Sequence, residues 1–193
     1  MEAGIKVGVL ALQGAFREHK QALTRLGAEV SEVRLPRHLD GLAGIVIPGG
    51  ESTTIMKLTQ LYGLDNALKD FYREGGAVWG TCAGAIAIAH DITGRPEQPR
   101  LDLLDIEVAR NDYGRQVASF EAELNIEGFS SPFRAIFIRA PRIVHTGPAV
   151  EVLASYEDDP VIVACDRLLA TVFHPELSGD DRVHARFLEL ASS

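Results

Sequence analysis

The sequence predicts an α/β fold, a three-layer doubly wound mixed sheet, and two features carry that expectation. In the first half of the chain, short apolar runs alternate with stretches of helical periodicity, the pattern of parallel strands joined by crossover helices. In the second half, strand-like runs follow one another with little helix between them, which implies antiparallel pairing added to the same sheet.

Taken in order, residues 5–12 form a nearly continuous apolar run suited to a strand covered on both faces. Phe16, the methylene stem of Lys20, Leu23 and Leu26 then recur at helical spacing over 15–26, and Gly27 is placed to end the helix. Residues 30–35 are a second strand and 45–47 a third, stopped by Pro48-Gly49-Gly50. Ser52 is placed to cap a helix carrying Ile55, Leu58 and Leu61, and Gly63 separates it from a further helix over 64–74. Residues 77–80 make a fourth strand and 83–89 a helix of small residues. The stretch 94–99 is too polar and proline-rich for regular structure and is an internal loop. Runs at 103–109, 123–126, 135–138, 150–155, 161–165 and 168–173 are expected as strands, the last two as a hairpin turning at Asp166-Arg167. A closing helix is expected over 180–190.

A chain of 193 residues is long enough for one domain, 1–193, that removes roughly 70% of its unfolded surface from water. Apolar residues make up 46% and charged residues 24%, with no apolar stretch approaching the roughly 20 residues that span a bilayer. A soluble chain without a membrane partner is expected, and the first six residues carry no secretion pattern, so the expected compartment is cytoplasmic. The net charge of -8 and the lack of a basic, aromatic-interleaved cluster argue against nucleic acid. Cys82 and Cys165 stand in unlike contexts, so no disulfide is expected.

Gly80-Thr81-Cys82-Ala83-Gly84 joins an apolar strand to a helix and has the form of a nucleophile elbow. A residue on such a turn is held out into a cleft in a strained conformation, and flanking glycines let backbone approach without a Cβ clash. The N-terminus of the following helix also lowers a thiol's pKa from its free value of about 8.5. A lone cysteine is commonly just a packed core residue, the reading preferred for Cys165 within its apolar run. Context favours Cys82 as a nucleophile.

Such a thiolate needs a base and a group to orient that base. In His174-Pro175-Glu176, proline holds the preceding residue extended, and alternation then puts His174 and Glu176 on one side. The remaining histidines, His19, His38, His90, His145 and His184, have no such partner, are too scattered for a metal site, and receive no role. The turn containing Gly49, Gly50, Glu51, Ser52 and Thr53 could aim amide N–H groups at a developing oxyanion, with Ala83 N–H as second donor. A phosphate loop is the rival reading, but its lysine is missing; a plain capping turn is the other.

Together, the elbow, the 48–53 turn and His174-Pro175-Glu176 resemble class I (triad-type) glutamine amidotransferases, whose fold is flavodoxin-like. The opening Val7 to His19, Arg110-Asn111-Asp112-Tyr113-Gly114-Arg115-Gln116, Phe137-Ile138-Arg139-Ala140-Pro141 and Phe173 to Leu177 are similar to one branch, the glutaminase subunits of pyridoxal 5'-phosphate synthase. The resemblance covers almost the whole chain. It implies hydrolysis of L-glutamine by Cys82, His174 and Glu176, an oxyanion site at Gly50 and Ala83, and substrate contacts from Gly50, Glu51, Ser52, Arg110, Ile138 and Arg139. It implies no metal and no bound cofactor. The implied partner is a synthase subunit that accepts the ammonia, a multi-subunit ring decorated by this protein. Arginine suits the substrate α-carboxylate and Glu51 its α-ammonium. Two other readings stay open: a stand-alone cysteine hydrolase, and a non-catalytic subunit that binds glutamine and a partner. The Pro96 to Arg100 stretch carries the least family-specific signal, and the role of the 94–100 loop stays open.

Overall fold

The computed structural model describes residues 4–110 and 119–193. Residues 111–116, part of the family-like stretch after Arg110, lie outside the described residues.

Twelve strands and five α-helices are found among the described residues. The first half reads β1 Lys6–Leu10, α1 Phe16–Arg25, β2 Glu29–Val33, β3 Gly44–Ile47, α2 Ser52–Leu61, α3 Leu64–Arg73, β4 Ala77–Thr81, α4 Ala83–Ile88 and β5 Ala89–Ile92. The second half reads β6 Leu104–Ala109, β7 Ser119–Leu124, β8 Phe133–Ile138, β9 Arg142–Thr146, β10 Glu151–Tyr156, β11 Asp159–Cys165, β12 Leu168–Thr171 and α5 Arg182–Ser192.

The central sheet has seven strands in the order β10-β11-β12-β4-β3-β1-β2. Its β12-β4-β3-β1-β2 portion is parallel, while β10 and β11 add antiparallel at one edge. From β1 to β2 the chain steps one way along the sheet, and from β3 to β4 the other way, so right-handed crossovers put α1 and α2–α3 on opposite faces. Helix α5 returns to pack on α1 and β4, and α4 packs on β3, β4 and α2, completing three layers. Val7, Val9, Ile45, Val46, Ile47, Val78 and Trp79 are all buried, as strands covered on both faces require. The fold expected from the sequence is the one observed.

Several local expectations need correction. Strands β5 and β9 were not anticipated, because β5 leaves α4 with no intervening turn signal and β9, Arg-Ile-Val-His-Thr, has only two adjacent apolar residues and no alternation. With β6 they make a small separate sheet in which β5 and β6 run parallel, against the expected antiparallel pairing. Strand β7 begins four residues before its expected start because its sequence, Ser-Phe-Glu-Ala-Glu-Leu, is polar on the solvent side. Ser52 is not the cap of α2: Glu51 occupies that position in extended geometry and Ser52 is the first helical residue. The β11–β12 hairpin does turn at Asp166-Arg167, with Asp166 at φ 51°.

Candidate active site

The carboxyl ends of four neighbouring parallel strands deliver the candidate residues, the position where open α/β sheets bind ligands. Gln13 and Gly14 follow β1, Gly49 and Gly50 follow β3, Cys82 follows β4, and His174 lies three residues beyond β12.

Cys82 sits at φ 50°, ψ -105°, a conformation a non-glycine residue adopts only when its surroundings impose it. The imposing contacts are visible. A Cβ on Gly80 would collide with the Gly84 carbonyl, and one on Gly84 would collide with the Ile47 carbonyl. Both elbow glycines therefore allow strand β4, helix α4 and strand β3 to close on one another. Cys82 is buried, with Sγ 3.8 Å from the Ile138 carbonyl oxygen. Its amide donates to the Thr171 carbonyl at 2.8 Å, locking the elbow to β12.

That bond explains how His174 arrives. Parallel pairing sets Thr81 opposite Thr171, so the chain after β12 passes beside Cys82. His174 N–H then donates to the Ile136 carbonyl at 2.8 Å, and Phe173 packs against Phe133 and Phe137. His174 and Glu176 do face each other, but not along an extended chain. Pro175–Leu177 forms a single 3₁₀ turn, and the turn brings Glu176 Oε1 to 2.7 Å from His174 Nδ1. Burial alone would push the imidazole down, but its hydrogen bonds and charge contacts with Cys82 and Glu176 outweigh burial and raise it to about 10. These contacts favour the imidazolium over the neutral ring.

Gly49 lies directly over this pair. A Cβ there would come 2.6 Å from His174 Cε1 and 3.4 Å from Cys82 Cβ. Its carbonyl accepts the Ala15 amide at 3.0 Å, while the Glu51 amide donates to Gln13 Oε1 at 2.8 Å. The segment that joins β1 to α1 thus fixes the 48–53 turn. Ala83 opens α4, where amides have no intrahelical acceptor.

A cleft of about 360 Å³ is lined by Gly50, Glu51, Ser52, Cys82, Ala83, Arg110, Ile138, Arg139 and His174 among others. Every sequence-predicted site residue except Glu176 is in that wall, and Glu176 stands behind His174. Arg139 holds φ 46°, a second non-glycine residue in the left-handed region at this site. Arg110 donates to Glu51 Oε1 at 2.9 Å and to Gln98 Oε1 at 2.8 Å. Burial would raise the Glu51 carboxyl, but hydrogen bonds with Thr53 and the Arg110 guanidinium hold it below the usual carboxylate range. A larger groove of about 720 Å³, near Phe129, Cys165 and Arg186, contains no comparable meeting of nucleophile and base.

Two groups were missed by sequence reasoning. Gln98, in the loop left without a role, is buried and joins Arg110 to Ser52, donating to the serine hydroxyl at 3.2 Å. His19 and His184, assigned nothing, are fully buried behind Glu176. Helical spacing put Phe16, Lys20, Leu23 and Leu26 on the inner face of the first helix, whereas the face that α1 buries holds His19, Ala22 and Leu23, with Leu26 exposed.

The elbow on a flavodoxin-like mixed sheet defines the class of protein. A solved structure described as a glutamine amidotransferase superposes with TM-score 0.93 at 54% identity, covering 97% of this chain and 99% of its own. PurLQS from Thermotoga maritima shares the fold, with TM-score 0.72 at 18% identity over 96% of this chain and 98% of its own. The model of the SNO glutamine amidotransferase family matches residues 9–193, and the chain belongs to that family. The pyridoxal 5'-phosphate synthase subunit PdxT of Deinococcus radiodurans is 56% identical over 189 residues, 96% of each chain. That of Thermus thermophilus is 56% identical over 186 residues, covering 96% of this chain and 97% of its own. Among the described residues, no helix is long and apolar enough to cross a membrane.

Proposed function

We propose that this chain, acting as one glutaminase domain, hydrolyses L-glutamine to L-glutamate and ammonia and passes the ammonia to a synthase partner that makes pyridoxal 5'-phosphate. The observation that carries the reading is His174, bonded to Glu176 at 2.7 Å and sharing with the elbow cysteine, under Gly49, the wall of a cleft large enough for an amino acid.

Cys82 Sγ attacks the side-chain amide carbon, and the amides of Gly50 and Ala83 receive the oxyanion of the tetrahedral intermediate. The His174 imidazolium gives its proton to the departing ammonia, and the neutral imidazole then takes a proton from the water that hydrolyses the γ-glutamyl thioester. Glu176 holds His174 with its proton on Nδ1 during these exchanges. In the cleft, Arg110 and Arg139 are suited to the α-carboxylate and Glu51 to the α-ammonium, with Gly50, Ser52 and Ile138 completing the wall. The Arg110–Glu51 ion pair offers both charges ready-made, and a zwitterionic substrate exchanges one internal pair for two of its own.

The partner is the ammonia-accepting synthase subunit, a multi-subunit ring to which copies of this chain attach, and the compartment is the cytoplasm. Docking reorients the Gly49–Gly50 peptide. Such a rotation breaks the Ala15 N–H to Gly49 carbonyl bond, and one misplaced oxyanion donor is worth about 10²–10³ in rate. The test is ammonia release from glutamine by wild type and Cys82→Ala, each with and without the synthase subunit. Release by wild type that rises on adding the synthase and vanishes in Cys82→Ala is expected. Release by Cys82→Ala in the complex would overturn the triad, and equal rates with and without the synthase would overturn the switch.

A further inference from the structure

Behind the triad, two histidines from different helices form a chain that ends on the free oxygen of Glu176. His184, on α5, places Nε2 at 2.9 Å from Nδ1 of His19, on α1. His19 Nε2 lies 3.2 Å from Thr81 Oγ1 and 3.4 Å from Glu176 Oε2. Both rings are wholly shielded from solvent and pack nearly perpendicular to Trp79, with centroids 5.4 and 5.0 Å away. Glu176 Oε1 is engaged by His174, while Oε2 has no conventional hydrogen bond among the described residues and His19 Nε2 is the nitrogen facing it.

We propose that His19, fixed as its Nε2–H tautomer by a hydrogen bond from His184, donates to Glu176 Oε2 and is a positioning residue of the triad. The inference rests on the function proposed above. Burial holds both imidazoles neutral, pushing His19 well below its ordinary value and His184 down to about 4, so one proton lies between the facing nitrogens.

Only two arrangements exist. If His19 Nδ1 holds the proton, its bare Nε2 points a lone pair at the carboxylate, and the His184 proton moves to Nδ1, a buried donor with no acceptor among the described residues. If His184 Nε2 holds it, His19 presents Nε2–H to Thr81 Oγ1 and Glu176 Oε2 together, and the atom left over is a bare nitrogen on His184. The second arrangement satisfies the charged oxygen and strands no N–H, so it has the lower desolvation cost.

The chain therefore runs His184, His19, Glu176, His174, Cys82. With Oε1 bonded to His174 and Oε2 facing the shared Nε2–H of His19 at 3.4 Å, Glu176 is held from both sides within its 3₁₀ turn, which keeps His174 oriented toward the sulfur. Gln13 and Ala15, in the segment that leads into α1, also hold the 48–53 turn, so α1 and its entry together register both the base and the oxyanion loop.

The tautomer is read on the wild-type protein in complex with its synthase, by ¹⁵N-histidine labelling and long-range proton–nitrogen correlation, with His19→Gln identifying the His19 signals. His19 as the Nε2–H form is expected; the Nδ1–H form would overturn the proposal whatever any variant does. Glutaminase kinetics of the complex supply the functional arm. His19→Phe should lower kcat about 10- to 100-fold with KM for glutamine nearly unchanged, the usual effect of removing a donor from a buried charge. His19→Gln, whose amide nitrogen can reach the Nε2 position, should recover most of that loss. Equal losses in folded Phe and Gln variants would mean His19 only fills space. Activity retained by Cys82→Ala would instead sink the underlying function, a result distinct from either.

Discussion

Replacing Glu176 with glutamine keeps the size of the side chain and removes its charge, which isolates what the carboxylate does for His174. In the native site the imidazole pKa is about 10 against an ordinary 6.5, a preference for imidazolium of roughly 5 kcal/mol, sustained by Cys82 and Glu176 against burial. Glu176 is bonded at 2.7 Å and shielded from solvent, and a hydrogen bond to a charged group of this kind contributes about 2 kcal/mol. The amide also competes for the wrong imidazole proton, since it can present N–H as readily as C=O to Nδ1. Loss of kcat/KM by about 30-fold from the charge alone, and up to about 10⁴ with the wrong tautomer, follows, the upper figure matching the cost of a wrong tautomer in an acid–histidine pair. The assay is glutamate formation by the complex from neutral into strongly alkaline pH. Activity that needs the imidazolium as proton donor falls in wild type as pH rises through about 10, and in Glu176→Gln that limb should move to lower pH. A variant with the same alkaline limb as wild type would refute the assignment of Glu176 as the group that holds the proton on His174.

Gln98→Ala should raise KM for glutamine about tenfold while changing kcat much less, since it frees Arg110 and Ser52 on the binding wall without touching the sulfur; steady-state kinetics of the complex check this. Acid stability should depend on His184, whose folded pKa of about 4 lies below the ordinary 6.5. The unfolded chain binds the proton first, so this contribution, roughly 3 kcal/mol, is fully present above 6.5 and is lost as pH falls towards 4. Urea unfolding of His184→Leu and wild type at a series of acidic pH values should show a shallower pH dependence in the variant.

Features decided by neighbours in the chain were legible in the sequence. Cys82 could be singled out because an elbow is local: glycines two residues on either side permit the turn, and a strand and a helix flank it. The alternation of strands and helices and the Asp166-Arg167 hairpin are local in the same way. Pairing within His174-Pro175-Glu176 was also anticipated, although a 3₁₀ turn rather than an extended chain achieves it.

What the tertiary structure decided are the contacts between residues far apart in sequence. Parallel pairing of β4 with β12 carries His174 to a sulfur some ninety positions earlier, and no periodicity specifies which strands become neighbours. The same holds for Gln98 against Arg110 and Ser52, and for His19 and His184 closing on Glu176. A buried glutamine or histidine looks in sequence like any polar residue near a core. Its role comes from the charged atom that folding sets opposite it, and that atom is fixed by the packing of α1, α5 and the 94–100 loop around the sheet.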